Sequence, residues 1–203
     1  MRVSSTSANP RRIPQQARAA ARREKFLAVA AALIGELGYD AVTMTAIAEQ
    51  AGASIGTLYD YFPDKPSIGL ALITQYTDEV QAHWELLLRD SATMTRTALA
   101  DVFVEGALKF ARERPAYLPL MGAPVAFQRT RTARRPLRQT VVNALRRMNS
   151  ALPEETAFVR AEVIVQLIKG LLTLYREGSP RDRDDLAGEY KKVIRLYVME
   201  ILG

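Results

Sequence analysis

Apolar residues in this chain recur at spacings of three and four, and that periodicity constrains the fold more than any other feature of the sequence. Phe26, Ala30, Leu33 and Leu37 trace one such stripe, the spacing that lines one face of an α-helix. No stretch alternates apolar and polar residues long enough to read as a strand. The expected class is therefore all-α. Helix breakers divide the pattern into segments. A first helix begins near Ala17, and Gly38 stands where a C-terminal cap would end it. Thr43 has the hydroxyl to cap a short second helix through Ile47 and Ala48 to Ala51, with Gly52 ending it. A third starts near Ser54, carries Leu58 and stops around Phe62, because Pro63 lacks an N–H and disfavours helix in the residue before it. Longer helices are expected from Asp64 or Pro66 to about Leu88, Thr95 to Arg114, Pro136 to Leu152, Pro153 to Glu177 and Asp184 to Leu202. Pro119 and Gly122 leave a short helix or loop between Pro115 and Pro124.

Composition removes several functional classes. The 203 residues include no cysteine, which excludes disulfides and thiolate-metal sites. The single histidine, His83, is expected on a helix surface rather than as a catalytic base, and no glycine-rich loop offers to cradle a phosphate. An enzyme is disfavoured, and no cofactor or metal is expected. No apolar run reaches the roughly 18 to 20 residues needed to span a bilayer, and Met1 to Arg23 lacks the apolar block of a signal peptide. A cytoplasmic protein without a membrane partner is the expectation. The formal net charge of +6 favours a polyanionic partner. Residues 1–16 combine Ser, Pro, Asn and Arg with little to bury, so a flexible basic arm is expected there. Positive charge gathers early in the chain: Arg2, Arg11, Arg12, Arg18, Arg22, Arg23 and Lys25 are opposed only by Glu24.

The segment Val42 to Lys65, VTMTAIAEQAGASIGTLYDYFPDK, meets the mechanical needs of a helix-turn-helix. Ile47 and Leu58 point inward to hold the two short helices together. Ala48 sits where they approach most closely, so a methyl group fits and a longer side chain would push them apart. Gly52 supplies the positive φ that so tight a turn favours. The third helix then presents Ser54, Ile55, Gly56, Thr57 and Tyr61, small enough in the main to approach base edges in a major groove. Thr43, Tyr59 and Lys65 have donors suited to flanking phosphates, and Thr45 joins the DNA-facing set. Tyr61 and Phe62 can alternatively pack between the third and fourth helices, and Phe62 is assigned to the core.

These residues resemble the signature of the tetracycline-repressor (TetR) family: T-x-x-x-I-A at Thr43 to Ala48, A-G at Ala51 and Gly52, and G-T-L-Y-x-Y-F-x-x-K from Gly56 to Lys65. The resemblance covers about Ala17 to Leu72. It implies phosphate contacts from Thr43, Tyr59 and Lys65, and base contacts from Ser54, Ile55, Gly56, Thr57 and Tyr61. It also implies a DNA-binding domain over 17–72, with the helix-turn-helix at about 43–62, and a ligand-binding and dimerisation domain over 73–203. The implied function is that of a repressor which leaves double-stranded operator DNA when a small-molecule effector binds. An activator or an effector-independent DNA-binding protein is the alternative.

In the second half, Glu162, Gln166, Lys169, Thr173 and Arg176 form one narrow polar stripe, and nearly every other residue between them is apolar. So much apolar surface suggests burial against both the chain's own core and a partner subunit. The last helix repeats the pattern with Leu186, Tyr190, Val193, Ile194, Tyr197 and Ile201. In the family these two helices form a four-helix homodimer interface. The intervening helices would then enclose an effector cavity, for which Trp84, Phe103, Met121 and Phe127 are apolar candidates and Tyr117 and Gln166 polar ones; ordinary core packing is the alternative for each. From Arg114 to Pro153 there is no acidic residue, while Arg129, Arg131, Arg134, Arg135, Arg138, Arg146 and Arg147 all fall there. That run reads as a solvated basic face, as partners for carboxylates of other helices, or as a seat for an anionic effector.

Overall fold

Short polar side chains start most of the helices, each by accepting a hydrogen bond from an N–H that the first turn leaves orphaned. The computed structural model describes residues 15–125 and 135–203, apart from the side chain of Arg135. The readings above that concern residues 1–14, Phe127, Arg129, Arg131, Arg134 and the Arg135 side chain fall outside what is described. Among the described residues there are nine α-helices: α1 (Gln15–Leu37), α2 (Met44–Gln50), α3 (Ile55–Tyr61), α4 (Lys65–Leu87), α5 (Arg96–Glu113), α6 (Tyr117–Gly122), α7 (Arg135–Met148), α8 (Glu154–Glu177) and α9 (Pro180–Ile201). A single 3-10 turn, Ser91–Thr93, separates α4 from α5. The Thr43 hydroxyl accepts from the Ala46 N–H at 3.1 Å, Ser54 from Thr57 at 3.1 Å, Asp64 from Ser67 at 2.7 Å and Thr95 from Ala98 at 3.1 Å.

Three boundaries differ from expectation. α1 starts at Gln15, so Gln15 and Gln16 belong to the helix rather than to the arm. α9 starts at Pro180 rather than Asp184, because Ser179 and Asp182 form a reciprocal capping box and proline suits the first helical position. α7 ends at Met148 and does not reach Leu152; the Asn149 side chain instead accepts from the Ala151 N–H at 3.1 Å and turns the chain.

Two hydrophobic cores result. The first joins α1 to α4 through Phe26, Ile34, Ile47, Leu58, Phe62 and Leu72, and it also takes in Ala116, Leu120, Ala123 and Val125 from α6 and its flanks. α6 therefore lies far along the sequence but is packed into the N-terminal module. Gly35 of α1 makes room for it: a Cβ there would stand 2.8 Å from the Cβ of Pro115. The second core gathers α4, α5, α7, α8 and α9 around Phe103, Leu99, Leu145, Ile164, Leu171 and Ile194. Ion pairs reinforce its seams. Asp101 of α5 accepts two bonds from Arg195 of α9 at 2.6 and 2.7 Å, and Lys191 reaches Glu105 at 2.5 Å. Arg195's hydrogen bond, ahead of the nearby Lys191, holds the Asp101 carboxyl below the usual carboxylate range. Arg114, at the end of α5, meets Glu79 of α4 at 2.5 Å.

Candidate nucleic-acid interface

α2 and α3 are short enough that their positions depend on what they pack against. Ile47 and Leu58 are fully buried and Ala48 nearly so, which fixes both helices on α1 and α4. Between them the chain turns on Gly52, whose φ is +65°, in the left-handed region that side chains with a Cβ avoid. The turn is closed by bonds from the Gly52 N–H to the Glu49 carbonyl and from the Ala53 N–H to the Ala48 carbonyl, both at 3.0 Å.

This arrangement leaves one face of the pair uncovered. Thr43, Thr45, Ser54, Ile55, Gly56 and Tyr59 are exposed, and Thr57 is half-buried. Ser54 and Thr57 share a hydroxyl-to-hydroxyl bond of 2.8 Å at the start of α3. Gly56 keeps the surface low beside them. Tyr61 is half-buried, its ring edge-on to Phe26 of α1 at 5.6 Å, so the ring serves the core as well as the outer face. Phe62 is buried, as assigned.

Lys65 has a second role that its phosphate-facing reading omits. Its ammonium donates to the carbonyls of Tyr39 and Asp40, both at 3.1 Å, and stands 4.8 Å from the centre of the Tyr39 ring. It thereby ties the start of α4 to the loop between α1 and α2. Burial, with the charges of Asp64 and Asp40 adding to it, pushes the Tyr39 phenol up, so the ring stays neutral under the lysine. Arg23 is placed similarly, its guanidinium 5.2 Å over the Phe62 ring. Neither partnership is visible in spacing alone. The one cue lay in Asp64, a cap residue directly ahead of Lys65 and Pro66. The first turns of α1 carry Arg18, Arg22, Arg23 and Lys25 in the open.

The candidate ligand residues separate. Trp84, Phe103 and Tyr117 line a cavity of about 60 Å³ bordered by α4, α5, α6, α7 and α8. Met121 and Gln166 do not line it, which corrects the reading from sequence. Met121 packs against the N-terminal core, and Gln166 is exposed, its amide donating to Glu162 at 2.6 Å. Lys169, from the same polar stripe, lines the cavity in its place. His83 is half-buried rather than on the surface, its Nε2 2.9 Å from the Gly106 carbonyl. The described arginines of the basic run are spoken for: Arg138 pairs with Glu162, Arg146 with Glu154 at 3.3 Å, and Arg147 donates to the Leu88 carbonyl at 3.2 Å. Apolar side chains meanwhile stand exposed on the outer faces of the last two helices: Val159, Val163 and Leu174 on α8, and Val193, Leu196 and Met199 on α9. No helix among the described residues is long and apolar enough to cross a membrane.

A capped, glycine-turned helix pair that exposes its second helix on an otherwise all-helical body defines a helix-turn-helix transcriptional regulator. Comparison with known proteins gives the family. Residues 26–72 match "Bacterial regulatory proteins, tetR family" and residues 97–197 match "Tetracyclin repressor-like, C-terminal domain". The chain belongs to the TetR family. Its class is therefore that of a bacterial regulatory protein. The HTH-type transcriptional repressor KstR of Rhodococcus jostii is 36% identical over 61 residues, 30% of this chain and 29% of that protein. The chain thus spans less than a third of this relative's length. Among solved structures, a TetR-family regulator from Pectobacterium atrosepticum superposes with a TM-score of 0.69 at 21% identity, covering 90% of this chain and 95% of that one. The fatty acid degradation regulator FadR of Bacillus halodurans gives 0.66 at 15% identity, covering 87% and 94%. At these identities the likeness is one of fold.

Proposed function

We propose that this regulator is a homodimeric repressor that holds operator DNA through α3 and leaves it when a small molecule enters the cavity between α4 and α8. The observation that carries the reading is the set at the start of α3, the exposed Ser54, Ile55 and Gly56 with the half-buried Thr57, seated on buried Leu58. These residues, with the outer edge of Tyr61, are the proposed base readers. Thr43, Thr45, Tyr59 and Lys65 flank them as phosphate contacts. The proposed DNA-binding domain is 17–72 and the ligand-binding and dimerisation domain 73–203. A repressor is favoured because the Rhodococcus jostii relative, similar over the DNA-binding segment, is described as one.

Homodimerisation accounts for the uncovered apolar stripes. Val163 and Leu174 on α8 and Leu196 and Met199 on α9 lie on adjoining helices, and a second copy related by a twofold axis would cover all of them at once. That symmetry sets two α3 helices for half-sites about 34 Å apart or more. The cavity connects to the DNA face along two elements. α4 carries Trp84 in the cavity wall and Lys65 at its other end, and α6 carries Tyr117 in the wall and Leu120 in the N-terminal core. A ligand favouring a different tilt of either helix shifts α3, by as much as its affinities for the two states differ. Selection of binding sites from random DNA with the purified protein, followed by a screen for compounds that release the selected site, tests the reading. Failure to enrich any sequence refutes DNA reading, and an operator that no cavity-binding compound releases refutes the ligand-released repressor.

A further inference from the structure

We propose that the first turns of α1, Gln15 to Lys25, lie along the phosphate backbone of the operator beside the groove that α3 enters, with Arg18, Arg22 and Lys25 on the phosphates. The inference rests on reading α3 as the DNA-reading helix and adds a second surface that grips the same duplex. Every residue from Gln15 to Lys25 is exposed, and the first buried side chain of α1 is Phe26. About three turns, roughly 16 Å of helix, thus leave the body with no core beneath them. An apolar stripe is what ordinarily holds a helix to its neighbours, and this segment, QQARAAARREK, has none. Its alanines favour the helix without such support. Arg18, Arg22 and Lys25 recur at spacings of four and three and so share one face, off which Glu24, the one acid of the segment, falls. Like charges at that spacing repel, which costs the helix stability until an anion lies against them. No ion pair among the described residues engages Arg18, Arg22 or Lys25.

Position names the anion. Phe26 meets the Tyr61 ring edge-on at 5.6 Å, and the Arg23 guanidinium stands 5.2 Å over the Phe62 ring. The projecting turns are therefore rooted on the last residues of α3 and emerge at the margin of its exposed face. A helix seated in a major groove has a phosphate strand on either side of it, and cations at its margin fall on that strand. Arg18 and Lys25 lie about 10 Å apart along the helix axis, far enough for separate phosphates rather than a single one. Cations held outside the groove supply grip and register without selecting bases, which is the contribution that the small polar residues at the start of α3 lack.

The test uses the full chain and the duplex selected from random DNA, with binding read by fluorescence anisotropy across a salt series. Combining Arg18→Ala with Arg22→Ala removes two exposed cations in favour of a good helix former, so helical signal and melting temperature should match the wild type. The slope of log K against log salt should fall by about two, and affinity at about 0.1 M salt by roughly tenfold or more, on the selected duplex and on random DNA of the same length. Hydroxyl-radical cleavage of the wild-type complex should show backbone protection just outside the bases that α3 shields, and the double variant should lose that protection alone. On a duplex trimmed to the shielded bases, wild type and variant should bind alike. An unchanged slope with operator binding intact overturns the proposal and leaves the charged face to an acidic protein or to solvent. A change in the bases that the double variant selects also overturns it, because phosphate contacts carry no sequence preference. Failure of the wild type to enrich any site is a different result: it removes α3 as the reader, and this inference with it.

Discussion

Replacing Lys65 with alanine separates a contact made to DNA from a contact made within the protein. The ammonium gives two hydrogen bonds to the loop between α1 and α2, at 3.1 Å each, and the bond to the Asp40 carbonyl is exposed while that to Tyr39 is part-buried. With the exposed bond discounted for competition from water, the pair contributes about 1.5 kcal/mol. The ammonium, itself only half-buried, adds about 0.5 kcal/mol through its place over the buried Tyr39 ring. A loss of about 2 kcal/mol is a factor of about 30 in the folding equilibrium, and with a urea dependence of about 2 kcal/mol/M it lowers the unfolding midpoint by about 1 M. Lys65→Met keeps the hydrocarbon stem and should lose nearly as much, since the bonds come from the ammonium. Operator binding supplies the second readout: a phosphate contact from the same residue reduces the slope of log K against log salt by about one. A midpoint that stays where it is while the salt slope falls would refute the loop-anchoring reasoning and leave Lys65 acting on DNA alone.

The remaining expectations test separate parts of the molecule. Gly52 has nothing within 4 Å of a would-be Cβ, so Gly52→Val should cost roughly 1–2 kcal/mol through backbone strain alone. Gly52→Asn, which tolerates that region, should cost clearly less in thermal melts; equal losses would reject strain as the cause. Because Arg195 lowers the Asp101 carboxyl from its ordinary value of 3.8, the ionised form stabilises the fold at neutral pH and that contribution disappears as pH falls through the lowered value. The urea midpoints of wild type and Asp101→Asn should therefore differ by a constant amount above about pH 5 and converge in stronger acid, while a gap that stays flat down to pH 3 would contradict the pairing. Leu196 is 73% exposed, so Leu196→Glu should leave the helical signal unchanged and yield monomers in sedimentation; a surviving dimer places the interface elsewhere. Thr57→Val should change which operator bases are preferred, and an equal loss on operator and random DNA would remove Thr57 from the readers.

What could be read from sequence was whatever acts over a few residues. Thr43 and Ser54 cap the helices they immediately precede, and Gly52 turns the chain on its own φ. What escaped was set by distant partners. Nothing near Lys65 announces that its ammonium ends on carbonyls 26 and 25 residues earlier. The polar stripe on α8 shows the difficulty most clearly. Spacing places Glu162, Gln166, Lys169 and Arg176 on one side of the helix, yet that side is not uniformly solvated. Arg138 of α7 covers Glu162, Gln166 stays exposed, Lys169 lines the cavity, and the guanidinium of Arg176 lies against Gly122 of α6. Periodicity identifies a shared face; only packing decides which part of the face is covered. His83 was misread for the same reason, since Gly106 on the facing helix lets α5 come close and supplies the carbonyl that meets it.

The presence of Leu120, Ala123 and Val125 in the N-terminal core bears on how this regulator can be taken apart. A cut after Leu72 would strip those side chains from Tyr39, Gly69 and their neighbours, leaving the head with an oily hole and a tendency to clump. Anyone wishing to splice these DNA-reading residues onto a foreign sensor should therefore transplant 115–125 with them, or choose a recipient whose own sixth helix fits beside Gly35. Swapped heads that ignore this fit are expected to express poorly even when every base-reading residue has been carried across.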